Sequence, residues 1–189
     1  LMLWFSALSF CRALVVVYFW LCFLAAVNRS ATADRVTKLI RLQIGRLADW
    51  PPLVQLLLPL LLVASAWAAL QPLLAGVGLI QPASSPGRLA LQGLLLAAGP
   101  VLSLKHLIPA LLFFHFVTNH IHFGNSPHWE FPGVAGRNLL RPLRSLPLQT
   151  RRMDFAPLAG IVPCLLLLHS LPQWFLMVLH ENDLTIWPQ

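Results

Sequence analysis

Long apolar runs are the feature that most limits how this chain can fold. They cover residues 12–27, 53–74, 89–123 and 157–179. As a helix the second run would rise about 33 Å, enough to cross a hydrocarbon core of about 30 Å. Only 10% of the residues are charged, against about 25% in an ordinary soluble domain. The sequence therefore predicts an all-α integral membrane protein with four transmembrane helices and essentially no soluble domain.

The third run is too long for a simple crossing, because one straight helix over 89–123 would measure about 52 Å. Two arrangements are compatible with it. In one, residues 105–123 cross the membrane while 89–104 lie at the outer interface or dip into it. In the other, a single long helix is tilted and kinked at Pro100 and Pro109.

The basic residues are concentrated in two linkers, 28–50 and 124–155, which together hold 10 of the 13 Lys and Arg residues. By the positive-inside rule both linkers are cytoplasmic, so an even number of crossings separates them. The third run then crosses once and both termini lie outside. We expect a multi-pass protein of the bacterial inner membrane, whose net charge of +7 faces anionic lipid headgroups and not nucleic acid.

The N-terminal run is predicted to be a retained helix. The sequence Ala-Thr-Ala at 31–33 resembles a signal-peptide cleavage site. However, the first ten residues contain no basic residue, and the apolar run to Val27 is longer than the usual hydrophobic region of about 7–15 residues.

The chain carries an internal duplication. Residues 49–53 read DWPPL and residues 154–158 read DFAPL, and each stretch opens an apolar run. Basic pairs precede both, at 38–41 and 141–144. We therefore predict two tandem parallel repeats, 1–87 and 88–189, each built as helix, amphipathic linker and helix.

The linkers are predicted to form a paired basic surface. In the first linker, apolar residues share one helical face and basic residues the other, as in an interfacial amphipathic helix. In the second, leucines alternate with arginines. If the repeats pack side by side, the linkers form one positive patch that binds anionic lipid or an acidic partner. The residues of this patch are Lys38, Arg41, Arg141 and Arg144. The residues expected in the acyl boundary are Leu39, Ile40, Leu140 and Leu143.

The second repeat resembles the signature of the YggT family. Residues 138–144 read NLLRPLR, and DFAP at 154–157 precedes an all-apolar helix. The first repeat carries a degraded copy, without the proline after Lys38, and the Pro-Gly-Gly-like turn common in the family is replaced by LQTRR at 148–152. The resemblance implies a small duplicated membrane protein. Bacterial relatives are linked to osmotic tolerance and cell division, plastid relatives to haem attachment, and none is an established enzyme.

Two pairs of residues are candidate sites. Asp49 and Asp154 precede helices and are predicted to be structural helix caps; the alternative is a polar cavity for transport. His115 and His169 are placed near mid-membrane by counting along their helices, about 15 Å and 18 Å from opposite faces. They would bind haem or pigment only as a minor alternative to interhelical hydrogen bonding, so no cofactor is predicted.

These features favour a non-catalytic scaffold, assembly factor or accessory subunit of a larger membrane complex. The alternatives are a small channel or transporter linked to osmotic or ion homeostasis, and an assembly protein or carrier for haem or pigment. No GxSxG, HExxH, Walker A or GxGxxG pattern occurs, and we expect no enzyme activity. The expected partners are the anionic bilayer and other membrane subunits.

Overall fold

The computed structural model describes residues 2–29, 35–78, 80, 83–121, 127–141, 149–150, 153–154 and 156–181. The elements in chain order are α1 (Met2–Val27), α2 (Arg35–Ile44), a 3₁₀ turn (Gly45–Asp49), α3 (Pro52–Gly76), α4 (Pro86–His120), α5 (Pro127–Leu139), β1 (Gln149–Thr150), β2 (Met153–Asp154) and α6 (Ala156–Glu181). The strands form one antiparallel pair of two residues each. The described part of the chain is otherwise helical, and the predicted all-α class is confirmed.

Three helices among the described residues are long and apolar enough to cross a membrane. They cover Ser6–Val27, Pro52–Gly76 and Pro86–Asn119, which agrees with the prediction of a membrane protein. The fourth predicted crossing falls on α6, a helix of 26 residues. Many of its side chains lie outside the described part of the chain, so the fourth crossing stays a prediction.

The third apolar run forms a single helix. α4 contains 35 residues with Pro100 and Pro109 inside it, and at about 1.5 Å per residue it is about 52 Å long. Of the two arrangements compatible with the sequence, the long helix is therefore the one observed, and residues 89–104 do not form a separate interfacial segment.

Two contacts establish how α4 lies against the other apolar helices. A Cβ atom placed on Gly93 would lie 3.0 Å from the carbonyl oxygen of Ala64, so α3 and α4 pack closely as a hairpin. Small residues allow this approach between membrane helices. The Trp20 indole Nε1 donates to the Ser103 hydroxyl at 2.7 Å. α3 thus contacts α4 at Gly93, and α1 contacts it at Ser103.

The last part of α4 packs against α5 instead. A Cβ on Gly136 would collide with the His115 side chain and lie 3.1 Å from the Leu111 carbonyl oxygen. α4 extends beyond the end of α1, because Gly136, which contacts Leu111 and His115, is two residues from Asn138, whose amide bonds Asn28 at the end of α1. Which part of α4 crosses a membrane stays a prediction.

Apolar side chains cover both the interior and the outer faces. The core joins α1, α2 and the 3₁₀ turn through Cys22, Ala25, Ile40, Ile44 and Ala48. Large apolar residues on the outside of α1 and α3 are more than half exposed, among them Leu14, Val17, Leu57, Leu61 and Leu73. Exposed apolar surface of this extent suits contact with lipid.

Candidate functional site at the linker surface

α2 is attached to the end of α1 where the first apolar helix terminates. Its buried face carries Ile40 and Ile44, which pack on Cys22 and Ala25 of α1. One Arg41 guanidinium nitrogen donates to the backbone carbonyl of Arg29 at 3.0 Å. The linker helix is therefore held directly against the end of a membrane-spanning candidate.

The opposite face of α2 differs from the predicted amphipathic pattern. Leu39 and Leu42 are 61% and 77% exposed, whereas Ile40 is buried against α1. The prediction that Leu39 and Ile40 both sit in the acyl boundary is wrong for Ile40, because the protein core occupies the face centred on Ile40, Thr37 and Ile44. α2 ends at Ile44, and Gly45 follows it with a φ of +64°, which suits a residue without a side chain.

Gln55 fastens the start of α3 to the 3₁₀ turn. Its amide Nε2 donates to the carbonyl oxygens of Leu47 at 2.9 Å and Ala48 at 2.7 Å, and its side chain is 1% exposed. Carbonyls at the end of a helical segment lack intrahelical partners, which explains why a buried amide is placed there. The sequence reasoning missed Gln55; the available signal was a single amide in the first turn of an otherwise apolar run.

Asp49 does not cap α3, and that prediction is wrong. The residue that precedes α3 is Pro51, and no side-chain hydrogen bond caps the helix. Asp49 instead ends the 3₁₀ turn and is exposed. Asp154 lies in β2, two residues before α6 begins; its side chain is outside the described part of the chain, so its capping role stays a prediction.

The two linkers meet through α5. The Asn138 amide donates to the Asn28 side-chain oxygen at 3.0 Å, which joins α5 to the end of α1. Phe131 of α5 packs on the core formed by α1, α2 and the 3₁₀ turn, and α2 also contacts α5 directly. Asn28 is fully buried. Sequence reasoning missed this pair, although Asn28 stands directly at the end of an apolar run.

The second linker is arranged differently from its prediction. Its helix is Pro127–Leu139, so it ends where the predicted leucine and arginine alternation begins. Leu140 is 3% exposed and packs inside the protein, which contradicts its predicted place in the acyl boundary. Leu143 lies outside the described residues. The sequence pattern failed here because tertiary packing, and not the alternation along the chain, decides that Leu140 is buried.

We define the linker surface as the basic residues of the two linkers that are described and accessible to solvent. Arg41 is half-buried, and the other members are exposed: Arg29, Arg35, Lys38, Arg46, Arg137 and Arg141. Of the four residues predicted to form a patch, Lys38, Arg41 and Arg141 belong to it, and Arg144 lies outside the described part of the chain. Positive charge thus collects at the end of the bundle where α1 terminates.

His115 lies near this same end of the bundle. Its side chain is 5% exposed, abuts Gly136 of α5, and its Nε2 is 3.3 Å from the Asn119 amide nitrogen. Gly136 is only two residues from Asn138, which bonds the end of α1, so His115 lies close to the end of α1, and its depth in a membrane stays a prediction. The side chain of His169 lies outside the described residues, so the pairing of the two histidines stays a prediction.

Neither a metal site in the described part of the chain nor a similar known protein was found for this arrangement. Within the described residues, no group of three or more His, Cys, Asp or Glu side chains is placed to hold a metal ion. No family model matches the sequence, and neither the curated proteins nor the solved structures gave a match.

Proposed function

We propose that the protein is a non-catalytic accessory subunit, scaffold or assembly factor of a larger membrane complex. The observation that carries the proposal is the contact between the two linkers, which collects the linker surface at one end of an apolar bundle. Six exposed cations lie on the two linkers. They form a surface suited to an acidic partner, since opposite charges across an interface guide association and specificity.

The proposed topology has four crossings, with both linkers in the cytoplasm and both termini outside. Three helices with the length and composition of crossings support it, together with the apolar sequence of α6. The order long helix, short helix, long helix occurs twice along the chain, which supports tandem repeats 1–87 and 88–189 and membership of the YggT family. The basic linkers support a location in a bacterial inner membrane with this orientation.

Mild extraction followed by native mass measurement tests the proposed role. We expect further subunits to remain with the wild-type chain. Charge reversal on the linker surface by Arg137→Glu should release them, because a cation facing an acidic partner becomes a repulsive charge. Arg88→Glu is the matched control, since Arg88 is exposed at the start of α4, away from the linkers.

Two results contradict the proposal. Ion flux through the purified chain alone in liposomes would establish a channel or transporter. A haem-type absorption spectrum that disappears in the His115→Ala variant would establish a haem carrier.

A further inference from the structure

The position of α2 relative to α1 fixes the depth of the linker helix. The Arg41 bond to the Arg29 carbonyl at 3.0 Å and the packing of Ile40 on α1 keep α2 beside the last turn of an apolar helix. A helix held at that point lies at the boundary between headgroups and acyl chains whenever α1 crosses the bilayer.

The outward face of α2 combines two kinds of side chain. Leu39 and Leu42 are the most exposed apolar residues of this helix, and no described part of the protein covers them. Arg35 and Lys38 are exposed on the same side. Leucine beside lysine and arginine on one outward face is the composition of a helix that lies in the membrane interface, with apolar groups in the acyl boundary and cations at phosphate depth.

Arg41 adds an oriented donor to this face. Its Nε is buried, so a headgroup would have to meet the terminal nitrogens, one of which also donates to the Arg29 carbonyl. This bond fixes the direction in which the guanidinium group points. Planar guanidinium groups bind phosphate with two parallel hydrogen bonds when their geometry is fixed in advance.

We propose that α2 binds the phosphate headgroup of an anionic phospholipid. Arg41 holds the phosphate, Arg35 and Lys38 supply the surrounding positive charge, and Leu39 and Leu42 contact the acyl chains. A lipid fits this face better than an acidic protein segment, because the two exposed leucines lie beside the cations at the depth of the bilayer surface. The inference goes beyond the proposed subunit role, since it concerns the purified chain without partners.

Native mass spectrometry of the purified chain in detergent, titrated with equal amounts of phosphatidylglycerol and phosphatidylcholine, tests the proposal. We expect the wild type to retain phosphatidylglycerol selectively. Each cation near the surface contributes about 1 kcal/mol, so Arg35→Gln/Lys38→Gln should lower retention more than tenfold at low salt. The matched control Arg12→Gln/Arg88→Gln removes the same charge from exposed positions away from α2 and should leave retention unchanged.

The Arg41 variants separate charge from guanidinium geometry. Arg41→Gln should lower retention at least fivefold, and Arg41→Lys should restore only part of it, because an ammonium cannot form the two parallel bonds. Circular dichroism checks that each variant keeps its helices. Equal losses in the α2 variants and the matched control would overturn the proposal, as would equal retention of the two lipids by the wild type. If the α2 substitutions weaken the binding of an acidic peptide and leave lipid retention unchanged, the face is assigned to a protein partner.

Discussion

At the scale of single residues, Gln55 has the structural role at the start of α3 that the sequence pattern assigned to Asp49. An aspartate just before a proline and an apolar run is a common helix-start signal. Here Pro51 and Pro52 displace the carboxylate from the first turn. At this junction two carbonyl oxygens of the 3₁₀ turn accept hydrogen bonds from the side-chain amide of Gln55, which stands in the first turn of α3.

Gln55→Leu should lower the free energy of unfolding in detergent by about 1–3 kcal/mol, since it removes the side-chain donor to the buried Ala48 carbonyl and one of the two donors to the Leu47 carbonyl. Asp49→Asn should change it by less than about 0.5 kcal/mol, because Asp49 is exposed and caps nothing. Denaturant titration followed by tryptophan fluorescence measures both variants. A larger effect from Asp49→Asn than from Gln55→Leu would contradict the assignment.

Gly136→Ala should also be destabilising, although alanine is the better helix former. The added methyl group would collide with the His115 side chain and approach the Leu111 carbonyl, and such overpacking costs about 1–3 kcal/mol. Gly99→Ala is the matched control, because a Cβ on Gly99 meets nothing within 4 Å. Thermal unfolding in detergent should give a lower Tm for Gly136→Ala and an unchanged or higher Tm for Gly99→Ala. Equal Tm values would mean that α5 does not pack on α4 at this glycine.

At the scale of secondary-structure elements, α4 organises the bundle. It contacts α1, α3, α5 and α6, because its length lets the first part pair with the apolar helices and the last part receive α5. Its close approach to α3 depends on Gly93, which stands against the Ala64 backbone. Without a hydrophobic driving force between helices in lipid, such close packing supplies much of the association energy.

Gly93→Leu should separate α3 from α4, because a side chain at this position would overlap the Ala64 carbonyl. We expect a marked loss of stability and faster proteolysis in the loop between the two helices. Gly99→Leu, on the same helix, adds an equal volume where a Cβ meets no neighbour. Limited proteolysis in detergent compares the two variants. Cleavage of both at the wild-type rate would show that the hairpin does not depend on the glycine contact.

At the scale of the whole molecule, the distribution of charge should determine how the chain is oriented. Cys11, Cys22 and Cys164 are first replaced by alanine. Single cysteines at Lys38 and Arg137 then report one linker each, and a single cysteine at Ser84 reports the loop between α3 and α4. An impermeant maleimide applied to intact cells should label Ser84→Cys alone, and Lys38→Cys and Arg137→Cys should label only after permeabilisation. Labelling of Ser84→Cys and Lys38→Cys from the same side would contradict the topology.

The helical class and its suitability for a membrane follow from the sequence alone. The length of an apolar run and its lack of charge are properties of the chain taken in order, and they predict helices able to cross a bilayer wherever those helices pack. The positions of the long helices were accordingly close to the predicted runs. The clustering of cations at one end of the bundle also follows from sequence, since Lys38, Arg41 and Arg141 stand in linkers between apolar helices.

Tertiary structure alone decided how far each helix extends past its neighbours and which face of each linker is covered. Nothing in the order of residues specifies that α4 extends past α1 or that His115 packs against α5. Leu39 and Ile40 are adjacent and equally apolar, yet only Ile40 is buried. That difference arises because α1, α2 and α5 meet in three dimensions, and burial depends on distance in space and not on distance along the chain.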